Sequence, residues 1–120
     1  MKKKIKISVG DIEQSARRFV GTWRKVERGE PVASQEYLTF DNLETLLRVL
    51  TPTRWTLLRL LRREGPLSVR ALSKSLSRDY KNVHGDVREL ESVGLVTRHK
   101  DGRVLVPWDI VVAEVKLEAV

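Results

Sequence analysis

The stretch LSVRALSKSLSRDYKNVHGDVRELESVGLV, from Leu67 to Val96, constrains the chain most, because two short apolar periodicities are separated in it by only three residues. Ser68 follows Gly65-Pro66 as an N-cap, and Val69, Leu72 and Leu76 recur at helical spacing, which predicts a first helix with one apolar side. The turn falls at Ser77 to Asp79. Asp79 caps a second helix in which Tyr80, Val83, Val87 and Leu90 make a narrow apolar stripe, and Gly94 is expected to end it as a left-handed residue. Helices this short and this tightly joined read as a helix-turn-helix.

At about 100° per residue, Lys81, His84 and Arg88 fall within roughly 60° of one another beside the stripe, facing outward. Gly85 lies in the middle of that face, with Arg78 near its N-terminal end, while Asp86 and Glu89 fall to the other side. Such a face suits a groove lined with phosphates and base edges. From this helix alone, a solvated charged face on an ordinary helical hairpin reads equally well. The next segment separates the two. Leu95 to Lys100 and Arg103 to Pro107 read as strands joined by Asp101-Gly102, a two-residue type I′ signal. Arg98, His99, Lys100 and Arg103 then lie on a wing that brings three permanent cations to flanking phosphates. Helix, turn, helix and basic hairpin in that order make a winged helix.

The net charge of +7 is unevenly placed, with +6 in residues 1–25, +6 in residues 54–103, −3 in residues 26–53 and −2 in residues 104–120. The excess sits on the N-terminal segment and on the predicted helix-turn-helix with its wing, which suggests a polyanionic partner. Cysteine is absent, which excludes disulfides and thiolate metal sites. No apolar run approaches the roughly 18 residues of a membrane span, and the basic start has no apolar core behind it. The expectation is a cytoplasmic protein without a membrane partner.

In chain order, Ile5, Ile7 and Val9 alternate as a strand over Lys4 to Val9, and a helix is predicted from Asp11 through Ile12, Ala16, Phe19, Val20, Trp23 and Val26. Arg17, Arg18, Arg24 and Lys25 lie off its apolar face. Residues 29–36 read as a loop, and Tyr37 to Phe40 as a short strand or bridge. Leu43, Leu46, Leu47 and Leu50 mark a helix from Asp41, and Thr51-Pro52 starts another, with Trp55, Leu57, Leu58, Leu60 and Leu61 expected in the core and Gly65 closing it. The β-branched tail from Trp108 predicts a last strand. Strand patterns at both ends are expected to pair, within one chain or between two. The fold class is therefore α+β, mostly α: a winged helix-turn-helix over 37–120 with its C-terminal strand, and a strand-helix extension over 1–36 as a dimerisation element.

The run TFDNLETLLRVLTPTRWTLLRLLRREGPLSVRALSKSLSRDYKNVHGDVRELESVGLV, continued by DGRVLVPWDIVVAEVKL, resembles a family of prokaryotic winged-helix transcriptional regulators related to the MarR and ArsR groups. RDYKNVH followed by ELESVGLV is the most specific part. The resemblance implies dimeric DNA binding, and for some relatives an antitoxin role beside a small toxin. It also implies that Arg78, Tyr80, Lys81, Asn82, His84 and Arg88 lie in or next to the recognition helix. Gly85 departs from the family pattern, where a basic residue is usual, and implies either a weaker grip or close backbone approach.

Enzymatic readings find little support, since the only histidines are His84 and His99 and no glycine-rich phosphate loop or suitably spaced carboxylate pair is present. The chain is expected to be no enzyme, to need no cofactor and to hold no metal. Lys81, Asn82, His84 and Arg88 are the candidates for base contacts; Arg78, Arg98, Lys100 and Arg103 are those for phosphates. The expected partner is double-stranded DNA, bound by a homodimer. The alternative is a protein-interaction module or antitoxin with a toxin partner, and RNA binding is a third, weaker reading.

Overall fold

A computed structural model describes residues 2–10, 28 and 35–117. The helix expected from Asp11 to Val26, with Trp23 and its four cations, lies outside the described residues. The described elements are β1 (Lys4–Val9), β2 (Gln35–Phe40), α1 (Leu43–Val49), α2 (Pro52–Glu64), α3 (Val69–Leu76), α4 (Tyr80–Ser92), β3 (Thr97–Arg98), β4 (Val104–Leu105) and β5 (Ile110–Glu114). They make an α+β chain with two small sheets. Among the described residues no helix is long and apolar enough to cross a membrane.

Contacts divide the chain into two units, residues 1–46 with 110–120, and residues 47–109. This differs from the division at residue 36 read from the sequence, because β2 and β5 both pair with β1 in parallel, giving the order β2-β1-β5. Parallel neighbours need long connections, so the strands of this sheet come from distant parts of the chain. Central position explains why Ile5 and Ile7 of β1 are fully buried, whereas Val112 on β5 and Tyr37 on β2 stay partly exposed. Lys6 reaches Glu114 at 2.9 Å across the sheet, and the Ser8 and Thr39 hydroxyls lie 3.4 Å apart. The two end strands thus pair within one chain.

Each described helix has an identifiable start. The Thr51 hydroxyl accepts from the Arg54 N–H at 3.3 Å with Pro52 in the first turn of α2, and the Ser68 hydroxyl accepts from the Ala71 N–H at 3.0 Å at the head of α3. Asp79 accepts from the Asn82 N–H at 3.1 Å ahead of α4. For α1 the cap is Asn42, whose side chain accepts from the Thr45 N–H at 2.8 Å. Leu57, Leu58 and Leu61 of α2, Val69 and Leu72 of α3, and Val83, Val87 and Leu90 of α4 form the core with Leu95, Val96, Val104 and Val106. Each side chain so buried contributes about 1.5–3 kcal/mol. The predicted core was too wide: Trp55 and Leu60 are half-buried, and of Leu43, Leu46, Leu47 and Leu50 only Leu46 and Leu50 are buried, Leu47 being 58% exposed.

The two helices of the Leu67–Val96 stretch end by the same hydrogen-bond pattern. After α3 the Arg78 N–H donates to the Ser73 carbonyl and the Ser77 N–H to that of Lys74, both at 3.0 Å; after α4 Leu95 donates to Leu90 at 3.0 Å and Gly94 to Glu91 at 3.1 Å. Both motifs need a left-handed residue. Gly94 supplies it at φ 85° without strain, whereas Ser77 is held at φ 53° with a side chain that disfavours it. Replacing Ser77 with Gly is expected to raise stability by roughly 0.5–1 kcal/mol, the relief of strain exceeding the added unfolded-state entropy. Urea denaturation checks this, and an unchanged or lower midpoint contradicts it.

Candidate nucleic-acid interface

The outward face of α4 exists because its inward face is fully committed. Val83, Val87 and Leu90 are 0% exposed, so the helix has a single rotational setting. Opposite them, Lys81, Gly85 and Arg88 are all exposed, at i, i+4 and i+7 along one stripe, with Asn82 exposed on its flank. Neither Lys81 nor Arg88 has a salt bridge among the described residues. His84 borders the stripe, half-buried, its ring centroid 5.9 Å from that of Tyr80 at an angle of 37°.

Tyr80 is not part of the apolar seam predicted for it. At the first position of α4 it lies about 60° from the seam and is 43% exposed, with the Arg70 guanidinium 5.0 Å from its ring centroid. A cation over an aromatic face is favourable, so Tyr80 links the outer sides of α3 and α4. Arg70 and Lys74 on α3 are exposed cations beside this face that helical periodicity did not single out.

Arg78 also departs from its expected place. Its Nη2 donates to Asp86 at 2.8 Å, while Arg54 Nε of α2 donates to the other oxygen of the same carboxylate at 3.1 Å. Arg54 further donates to the Val49 carbonyl at 2.9 Å. Asp86, read from the sequence only as lying off the basic face, thus ties α4 to α2 and to the turn, with its side chain just 16% exposed. The Nη1 of Arg78 is buried with no hydrogen-bond partner among the described residues, so this guanidinium is largely turned into the fold.

The hairpin after α4 pairs Thr97 with Leu105 and Arg98 with Val104 in antiparallel register, and Leu67 adds a bridge to Val104 through bonds of 3.0 and 2.8 Å. Its turn is not the expected type I′, which requires positive φ at both central residues. Asp101 has no positive φ; instead the Gly102 N–H donates to the His99 carbonyl at 3.0 Å, the His99 N–H donates to the Arg103 carbonyl at 2.8 Å, and Gly102 takes φ 91°. This is a three-residue loop with a glycine bulge. His99 and Lys100 are exposed at its tip.

Two of the three expected wing cations are held by the protein itself. Arg98 contacts both oxygens of Glu91, at 2.8 and 3.3 Å, and donates to the Gly102 carbonyl at 3.1 Å; Arg103 contacts Asp101 at 2.7 Å. The Arg98 hydrogen bond holds the Glu91 carboxyl below its usual range, with Arg88 and His84 adding to the effect, and the backbone and side chain of Arg103 do the same for Asp101. Beyond the hairpin, the Trp108 indole donates to the Gly94 carbonyl at 3.0 Å, and Arg62 of α2 bonds the Val106 carbonyl at 3.3 Å and the Asp109 carboxylate. These bonds fasten the hairpin's exit to α4 and α2.

The result is an α+β protein whose helical unit offers one basic, side-chain-poor helix face next to a short hairpin. The chain belongs to the HVO_A0114 family, whose model matches residues 49–113, more than half of its 120 residues. The match spans α2 to β5, and so includes both the face and the hairpin. No curated protein matches the sequence.

Removing the Asp86 carboxylate leaves two partly buried guanidinium groups facing one another. Asp86→Ala is expected to lower stability by roughly 2–3 kcal/mol at neutral pH, measured by urea denaturation; a loss within error of zero contradicts the brace. Because Glu91 has a lowered folded-state pKa, its pairing stabilises the fold above the unfolded value of about 4.3 and is lost as pH falls through the folded value. The stability difference between wild type and Glu91→Gln is therefore expected to be largest near neutrality and to shrink as pH falls below the unfolded value of about 4.3. A difference that does not change with pH rules out the charge contribution.

Proposed function

We propose that the helical unit is a winged helix-turn-helix that binds double-stranded DNA as a transcriptional regulator. Helix α4 enters the major groove, with Lys81, Asn82, His84 and Arg88 toward base edges, while the hairpin rests on the adjoining backbone through Lys100. The observation that carries this reading is the exposed Lys81–Gly85–Arg88 stripe opposite a fully buried seam, on the second of two tightly joined helices. A helix of this kind is about the width the major groove admits, and its free cations match acceptor-rich base edges and phosphates. Arg70 and Lys74 of α3 extend the basic surface toward the backbone. Two copies of the chain read half-sites about 34 Å apart, or a multiple of that. No catalytic step and no cofactor enter this reading.

A second reading, a protein-interaction module or antitoxin, is favoured by one observation. Arg78, Arg98 and Arg103 are each paired with a carboxylate of the chain itself, Arg78 sharing its partner with Arg54, which leaves less charge for phosphates than the sequence suggests. Selection of fragments from randomised duplex DNA tests between the two. An enriched inverted repeat supports the first; no retention at moderate salt, together with a stoichiometric small protein partner, supports the second.

Under the first reading, Lys100→Ala is expected to weaken binding evenly across sequences and to shallow the slope of log affinity against log salt by about one unit. Arg103→Ala is expected to change the slope less, since the Arg103 charge is already offset by the Asp101 carboxylate. Arg88→Ala is expected to cost about 1–3 kcal/mol on the selected site and to relax specificity at one position. Anisotropy titrations at several salt concentrations read all three effects, and a slope unaltered by Lys100→Ala removes the hairpin from the interface.

A further inference from the structure

A glycine inside a helix needs a reason, because it is among the least favourable residues there. Three internal reasons are available in general, and none applies to Gly85. It is not at a turn or a helix end, since α4 runs unbroken from Tyr80 to Ser92. It does not have positive φ, which among the described glycines is confined to Gly94 and Gly102. It is not crowded: a Cβ at this position would meet nothing within 4 Å. The free chain would therefore be better served by alanine.

From this we infer that Gly85 is a specificity-determining position, whose missing side chain leaves a notch on α4 that receives the C5-methyl of a thymine in the bound duplex. The inference rests on the DNA-binding reading and names what one part of that face recognises. Geometry places the notch on the same outward stripe as Lys81, one turn before it, and Arg88, one turn after it. Chemistry selects the occupant. The backbone N–H groups around Gly85 lie in mid-helix and are bonded to carbonyls four residues back, so the notch offers no donors to a phosphate or to a base acceptor. What it offers is an apolar patch of Cα–H surface. Among the groups displayed in the major groove, the thymine methyl is the apolar one, and the acceptors of neighbouring bases lie to either side, within reach of Lys81 and Arg88.

The test combines a change in the protein with the removal of one methyl from the DNA. On the selected duplex, each thymine is replaced in turn by deoxyuridine, which deletes only the C5-methyl, and binding is measured for wild type, Gly85→Ala and Gly85→Leu. The wild type is expected to lose affinity several-fold at one thymine per half-site. Gly85→Ala is expected to melt several degrees higher, to bind the thymine site about tenfold more weakly, and to lose its sensitivity to deoxyuridine at that thymine alone. Gly85→Leu is expected to bind more weakly still, a grading by side-chain size that helix stiffening does not produce. Binding by Gly85→Ala equal to wild type, or deoxyuridine sensitivity at no thymine or unchanged by the substitution, overturns the inference and leaves the DNA-binding reading standing. Failure of the wild type to bind any duplex overturns both.

Discussion

Burial of Val83, Val87 and Leu90 sets everything that α4 presents to the outside. A helix can rotate about its axis unless one side is committed, and three fully buried side chains at i, i+4 and i+7 commit it. The Asp86 carboxylate adds a directional restraint. It accepts from Arg54 on α2 and from Arg78 in the turn, and so resists rotation and sliding that a purely apolar seam would tolerate. The outward positions of Lys81, Gly85 and Arg88 follow from these two restraints together.

Charge in this unit has two roles that look alike in a list of residues. Arg54 and Arg78 brace the fold through Asp86, and Arg98 ties the hairpin to α4 through Glu91 while gripping the turn at the Gly102 carbonyl. Planar guanidinium groups suit such work because several fixed donors can satisfy a carboxylate and a carbonyl at once. Lysines fill the other role. Lys81 and Lys100, flexible point charges, are exposed and have no salt bridge among the described residues, and under the proposed reading they serve a polyanion together with Arg88, Arg70 and Lys74.

Departures from local preference cluster at the same helix pair. Ser77 is held left-handed in the turn where glycine would relax the backbone, and Gly85 occupies mid-helix where alanine would strengthen it. Each sets local preference against a demand made elsewhere. The turn sets the angle between α3 and α4, and under the proposed DNA-binding reading the outer face of α4 is kept clear at Gly85. Places where local and global preference disagree are where functional constraints are expected to concentrate.

The sequence by itself determined the helix pair, its caps at Ser68 and Asp79, its closure at Gly94 and the inward set of Val83, Val87 and Leu90. These follow from contacts a few residues apart and from the 3.6-residue period. Only the tertiary structure decided that Tyr80 faces out under Arg70, that Arg78, Arg98 and Arg103 are held by carboxylates, and that β2 and β5 flank β1 in one parallel sheet. An ion pair between Arg54 and Asp86 joins residues 32 positions apart, β1 meets β2 across a similar separation, and β1 meets β5 across a far longer one. Periodicity carries no record of such meetings, because a cation has the same place on a helical wheel whether a carboxylate or water lies opposite it.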